Sequence, residues 1–234
     1  MKDGVIVVDK PLGMTSHDVV RFVRKKFKMH RVGHAGTLDP LATGVLILLI
    51  GKSTKLFNKF VCFDKAYQAT LLLGVTTTTA DIQGRIMREM PCEMITRPWV
   101  EEVFRKFTGE IQQIPPMVSA IKFKGERLYK LARRGLQVER QPRPVKINVL
   151  TLTDFVLPHV KFYLECSKGT YVRQLAEDVG WLLGCGACIS QIERTRVGPF
   201  AITDAVKLEN LNESHIRLWD NRQSKKTNFD DRCF

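Results

Sequence analysis

The run Gly33-His34-Ala35-Gly36-Thr37-Leu38-Asp39-Pro40-Leu41-Ala42-Thr43-Gly44-Val45-Leu46 constrains this chain more than any other segment. Gly33, Gly36 and Gly44 reach backbone angles that other residues avoid, and Pro40 restricts the conformation of Asp39 before it. A loop of this composition holds one carboxylate at a fixed angle. A strongly basic helical segment precedes the loop and the apolar run Val45–Ile50 follows it.

Periodicity supplies the surrounding elements. Val5–Val8 reads as a strand, and Thr15 or Ser16 can cap a helix over about 17–28. In that helix Val19, Val20, Val23 and Phe27 fall near helical spacing, with Arg21, Arg24, Lys25, Lys26 and Lys28 interleaved. Val45–Ile50 reads as a buried strand, 53–61 as helical and 66–73 as a strand. Thr76–Thr79, Asp81 and Gly84 read as a loop. Pro98 suits the first turn of a helix over 98–107, and Gln113-Ile114-Pro115-Pro116 interrupts regular structure. An amphipathic basic helix is expected over 126–134, with Gly135 as its cap. Strands at 145–153 and 160–166 precede a helix over 171–183, which turns Val172, Leu175, Ala176, Val179, Leu182 and Leu183 inward. No internal repeat is visible. Strands and helices mix without strict alternation, which indicates an α+β fold. Residues 1–220 are read as one domain and the polar stretch 221–234 as a poorly ordered tail.

Charge narrows the class of partner. Lys and Arg total 37 against 24 Asp and Glu, a net charge of +13. Such an excess favours a polyanion over a small neutral substrate. The apolar run Val45–Ile50 is far short of the ~20 residues that span a bilayer, and Met1-Lys2-Asp3-Gly4 leads straight into a strand with no apolar signal region. The expectation is a cytoplasmic protein with no membrane partner. The six cysteines are expected to be reduced thiols. Cys185-Gly186-Ala187-Cys188 matches a metal-ligand spacing, but no second pair accompanies it, so no metal is expected.

Four separated segments carry a resemblance. The Asp39 loop, read with Leu38-Asp39-Pro40-Leu41-Ala42-Thr43-Gly44, is similar to the catalytic motif of the TruB-type bacterial tRNA pseudouridine-55 synthases. The opening Asp9-Lys10-Pro11 with Thr15-Ser16 resembles that family's N-terminal motif. Pro115-Pro116 with Ser119-Ala120 and Lys122, then Gly125, Leu128-Tyr129, Ala132-Arg133 and Gly135, resembles a third segment. Cys166-Ser167-Lys168-Gly169-Thr170-Tyr171-Val172-Arg173 resembles a fourth, followed by Gly184-Cys185-Gly186-Ala187. The segments stand in the family's order and cover most of residues 5–200.

The resemblance implies a mixed, mainly antiparallel sheet flanked by helices, with a central RNA-binding cleft. It implies that uridine 55 in the T arm of tRNA is isomerised to pseudouridine. That reaction breaks the C1′–N1 bond, rotates the base and rejoins it through C5, with no redox step and no cofactor. It needs an ionised carboxylate as nucleophile or as stabiliser of an oxocarbenium-like sugar, and Asp39 matches the family's aspartate. Arg173 matches the arginine that pairs with it; a guanidinium stays charged and can bond both carboxylate oxygens. Tyr67 matches the tyrosine that stacks on the flipped base, a stacking that offsets the cost of extrusion. His34 matches the histidine that fills the vacated place in the RNA. Tyr171 is a second pocket residue, and Asp81 matches an aspartate near the active site. Lys10, Lys55, Lys122, Lys124, Arg127, Arg133 and Arg134 are expected to grip phosphates together with the basic helix.

Three departures are visible, the first being Ala35 in place of a common threonine beside the motif. Val118 stands where the family often carries an aromatic residue. Many members continue into a C-terminal PUA-like RNA-binding domain, and this chain is expected to lack a complete one, to hold tRNA less firmly beyond the T arm, and to keep catalysis. A monomer without an obligatory protein partner is expected. Two alternatives remain open at this point: a tRNA-binding or tRNA-folding module without essential chemistry, and a guide-RNA-directed relative of the same superfamily.

Overall fold

A computed structural model describes residues 3–219. They divide into two compact units, one made of the chain up to Gln68 with the chain from Gln191 onward, the other of Ala69–Ser190.

The first unit opens with strand β1, Gly4–Lys10. Helix α1, Ser16–Phe27, follows. Thr15 is its cap: the hydroxyl accepts from the Asp18 amide at 3.1 Å while the Asp18 carboxylate accepts from the Thr15 amide at 2.9 Å. This capping box satisfies two amides that a helix start leaves unpaired. Arg24, Lys25 and Lys26 occupy the last turn, where positive charge suits the helix dipole. Val19, Val20 and Val23 are buried as their spacing predicts, and Phe27 packs at the edge of the same cluster. Strands β2, Val32–Ala35, and β3, Thr43–Ile50, bracket the Asp39 loop. A 3-10 turn over Gly51–Leu56 and a short helix α2, Phe57–Val61, take the place of the expected 53–61 helix. Strand β4, Lys65–Leu73, then carries the chain toward the second unit.

In the second unit the Thr76–Thr79 region is a hairpin rather than a plain loop. Strands β5, Val75–Thr77, and β6, Ile86–Glu89, pair antiparallel. Helix α3 covers Arg97–Phe107, with Pro98 in its first turn. Strand β7, Gly109–Gln113, ends where the prolines begin. Glu126 and Arg127, expected within a helix, instead form strand β9, Glu126–Arg127, against strand β8, Lys122–Phe123. The helix α4 is shorter, Leu128–Arg133, and Gly135 follows it at φ +74° as expected of a cap. Strands β10, Arg143–Val156, and β11, His159–Cys166, pair antiparallel, and β10 also pairs antiparallel with β7. Helix α5, Val172–Leu182, buries Val172, Leu175, Ala176 and Val179. Leu182, expected inward, is exposed at the end of the helix, while Leu183 beside it is buried as expected.

Strand β12, Ala187–Val197, carries the chain back into the first unit, where strands β13, Phe200–Ala201, and β14, Val206–Lys207, follow. There β3 pairs antiparallel with both β1 and β2 and parallel with β12, and β14 joins β1 in parallel. The two faces of this sheet bury separate clusters: Ile6, Val8, Leu46 and Leu48 with α1 on one, Val5, Val7, Ile47 and Leu49 with Phe60 and Phe63 on the other. The alternation of β1 and β3 thus has no polar side, as expected for strands covered on both faces. The whole is α+β, with a mixed, mainly antiparallel sheet against helices. The tail expected beyond residue 220 lies outside the described residues.

Candidate active site

Asp39 opens a tight turn. The Ala42 amide donates to the Asp39 carbonyl at 3.0 Å, which puts Asp39 in the first and Pro40 in the second position of a four-residue turn. Both residue types favour those places, Asp for its side-chain acceptor and Pro for its fixed φ. The turn is pinned from three directions, all within the first unit. Ser16, which does not serve as the helix cap, uses one buried hydroxyl twice: it accepts from the Leu38 amide at 2.8 Å and donates to the Leu38 carbonyl at 3.1 Å. The Gly13 amide donates to the Pro40 carbonyl at 2.9 Å. The Arg194 side chain, only 1% exposed, donates from Nε to the Val45 carbonyl at 2.8 Å and from Nη2 to the Gly36 carbonyl at 3.0 Å. The Asp39 side chain is half-buried.

Lys10, expected to grip a phosphate, is fully buried. Its Nζ donates to the carbonyls of Pro11 at 2.9 Å and Met14 at 2.6 Å, which ties down the loop whose Gly13 amide bonds the Asp39 turn. Burial lowers its pKa to about 8, against the opposing pull of Asp39. His34 lies on β2, half-buried, with its pKa lowered to about 4, first by burial and then by the Arg194 charge. Its Nδ1 is buried without a hydrogen-bond partner. Tyr67 is buried on β4, two residues after Lys65, whose buried ammonium donates to the carbonyl of Val61 at 2.6 Å and anchors the start of that strand. Lys55 is exposed.

The second unit holds the other candidates. Arg173, in the first turn of α5, is buried and donates to the carbonyls of Thr79 at 2.7 Å and Val118 at 3.0 Å. Its Nε stands 3.7 Å from Oδ2 of Asp81, which is also buried. Sequence reading named Asp39 as the partner of Arg173 and set Asp81 merely near the site; within its unit Arg173 is ion-paired with Asp81. The Asp81 carboxylate accepts in turn from the Thr79 hydroxyl at 2.6 Å and the Gln83 amide at 3.0 Å. Tyr171 is half-buried, and the amide of Gln113 grips its backbone twice, accepting from the Tyr171 N–H at 2.8 Å and donating to its carbonyl at 3.1 Å. Lys122, Lys124, Arg127, Arg133 and Arg134 are exposed.

No sequence signal marks Arg194, and in the sequence Ser16 and Gln113 stand out only as a cap candidate with motif membership and as the start of an irregular segment. Each is a polar residue buried against backbone groups remote in sequence, and nothing in local periodicity marks such a residue. None of the five cysteines in the described residues is in a disulfide. Among the described residues no group of three His, Cys, Asp or Glu side chains could hold a metal ion, and no helix is long and apolar enough to cross a membrane.

This fold and its carboxylate loop define a chain of the pseudouridine-synthase class. The Cbf5 chain in the crystal structure of a Cbf5-Nop10-Gar1 complex superposes with a TM-score of 0.70 at 31% identity over 89% of this chain; this chain spans 53% of its length. Residues 24–172 match the TruB family pseudouridylate synthase N-terminal domain, and 173–230 match the tRNA pseudouridylate synthase B C-terminal domain. The tRNA pseudouridine synthase B of Clostridium tetani is 46% identical over 92% of this chain and 74% of its own length. That of Opitutus terrae is 46% identical over 88% of this chain and 86% of its own. The chain belongs to the TruB family of pseudouridylate synthases.

Proposed function

We propose that the protein isomerises uridine 55 in the T arm of tRNA to pseudouridine, within one catalytic domain over residues 1–220 and without a cofactor. The observation that carries this reading is the Asp39 turn, a half-buried carboxylate whose flanking backbone is fixed by Ser16, Gly13 and Arg194. A carboxylate held this way is oriented before the substrate arrives, which is where much of an enzyme's advantage comes from. Asp39 attacks the flipped nucleotide, the glycosidic C1′–N1 bond breaks, the base turns and rejoins through C5, the bond to Asp39 breaks and returns the free carboxylate, and the C5 proton leaves as N1 gains one. Atoms and charge balance without a second reactant.

Arg173 supplies the fixed positive charge the reaction calls for, and the carbonyls of Thr79 and Val118 with Asp81 set its direction. Tyr67 stacks on the flipped base, Tyr171 lines the pocket, His34 takes the place the base vacates, and Asp81 acts through Arg173. Lys55, Lys122 and Arg127 contact phosphates. The protein acts as a cytoplasmic monomer. The test is site-resolved pseudouridine mapping on a tRNA transcript incubated with the purified protein alone. Product at position 55 is expected with the wild type and none with Asp39→Asn, which still binds. Binding without product would leave a tRNA-binding module, and product only with an added guide RNA would leave a guide-directed enzyme.

A further inference from the structure

We propose that Arg194 is a positioning residue for the Asp39 turn, closing the two ends of the loop that presents the carboxylate; this rests on the reading of Asp39 as the reacting group. Arg194 touches the loop with both its main chain and its side chain. Its backbone pairs with Gly44 in the parallel contact of β12 and β3. Gly44 has φ +93°, and a Cβ there would fall 2.4 Å from the Arg194 carbonyl, so the strands approach this closely only because position 44 is glycine. The guanidinium then reaches across the loop. Nε takes the Val45 carbonyl at 2.8 Å on the exit side, while Nη2 takes Gly36 at 3.0 Å and Nη1 takes Thr37 at 3.5 Å on the entry side. A planar fork with donors on several sides can do this; an ammonium presents a single point.

The burial of this cation is informative. Arg194 is among the largest fully buried side chains in the described residues. A buried charge is commonly no better for stability than an apolar side chain of similar size. Here the charge is spent on carbonyls that flank the Asp39 turn on both sides, and its field also reaches Lys10 and His34. Ser16 and Gly13 fix the middle of the loop, and Arg194 fixes its ends. The residue acts on chemistry through backbone geometry and meets no substrate itself.

The experiment compares wild type, Arg194→Met and Arg194→Lys under single-turnover conditions with excess protein and an unmodified tRNA transcript. Arg194→Met is expected to bind the transcript within about threefold of wild type while the rate of pseudouridine formation falls about 100-fold, the scale of a misplacement near 1 Å. Arg194→Lys keeps the charge but loses the fork, and is expected to recover about tenfold of that loss. Amide hydrogen exchange at Leu38 and Ala42 should quicken in both variants, and more in the methionine one. A wild-type rate in either variant, or equal losses in binding and rate, overturns the proposal. If Arg194→Met does not fold, the rate and exchange of Arg194→Lys decide. If the wild type itself makes no pseudouridine, the functional reading fails, and unchanged exchange at Leu38 and Ala42 would separately remove Arg194 from its positioning role.

Discussion

Asp39 and Arg173 are fixed by opposite means. At Asp39 the backbone is held on both sides, by Ser16 through Leu38 and by Gly13 through Pro40, and the carboxylate stands half-buried on a turn. At Arg173 the side chain itself is held, by two carbonyls and the buried Asp81. The difference follows from what each group has to do. A nucleophile must meet an incoming atom, so its support comes from behind. A guanidinium with several donors can spend some on the protein and still direct its charge.

This contrast gives the largest expected effect. Asp39→Asn should lower the rate by about 10³-fold or more, at a smaller cost in stability than the loss of Arg173, because the turn bond is made by the backbone. Arg173→Met should lose activity too, but also about 3 kcal/mol of stability, because it leaves the Asp81 carboxylate buried without its cation. Denaturant titration of both variants checks this. Equal stability losses would erase the distinction.

A smaller effect tests a parallel between the two units. Ser16 and Gln113 do the same job: each pairs with both the N–H and the carbonyl of one residue, Leu38 or Tyr171, next to or near the functional side chain. Ser16→Ala and Gln113→Ala should each cost about 1–3 kcal/mol, since each strands two backbone groups. The first should slow the reaction with little change in tRNA affinity. Rates at saturating tRNA, alongside unfolding curves, read both quantities. A Ser16→Ala protein with full rate would break the view that the Asp39 turn is held from behind.

The sequence exposed this site unevenly. Asp39, its glycines and Pro40 were legible because turn chemistry is local, and the valines of α1 because helical spacing is local. Glu126 and Arg127 were misplaced because amphipathic spacing continues across them, whereas pairing with Lys122 and Phe123 is a tertiary fact. Lys10 read as a surface cation because nothing in its neighbours says that the following loop folds back to give it two carbonyls. The roles of Arg194 and Gln113 were hidden for the same reason: a buried polar side chain is defined by partners remote in sequence. The Asp81–Arg173 pair joins residues 92 positions apart by their numbering, and no spacing rule reaches that far.

Acid should strain the first unit through His34. Its pKa is about 4 in the folded protein against an ordinary value near 6.5. Between those values the unfolded chain binds a proton that the folded one refuses. Stability should therefore fall as pH drops from about 6.5 toward 4 and be insensitive to this group above that range. His34→Gln should flatten the difference. Melting temperatures of the two proteins from pH 4 to 7.5 measure it, and a constant offset across that range would mean that the buried Nδ1 does not face the environment described.

The smallest effect concerns which unit grips RNA. The exposed cations of α1, among them Arg21, Lys25 and Lys26, lie in the first unit, and Lys122, Lys124 and Arg127 in the second. None of them is buried, so removing one should leave folding within about 0.5 kcal/mol of wild type. Each cation that neutralises a phosphate should instead reduce the slope of log affinity against log salt by about 1. Alanine triples in each unit, titrated with tRNA at several salt concentrations, compare the two surfaces directly. A slope lowered only by the second triple would make α1 an ordinary solvated face whose charge suits its own helix end. Slopes lowered by both would assign phosphate contacts to each unit, and the basic run before the Asp39 loop would then serve the RNA as well as the fold.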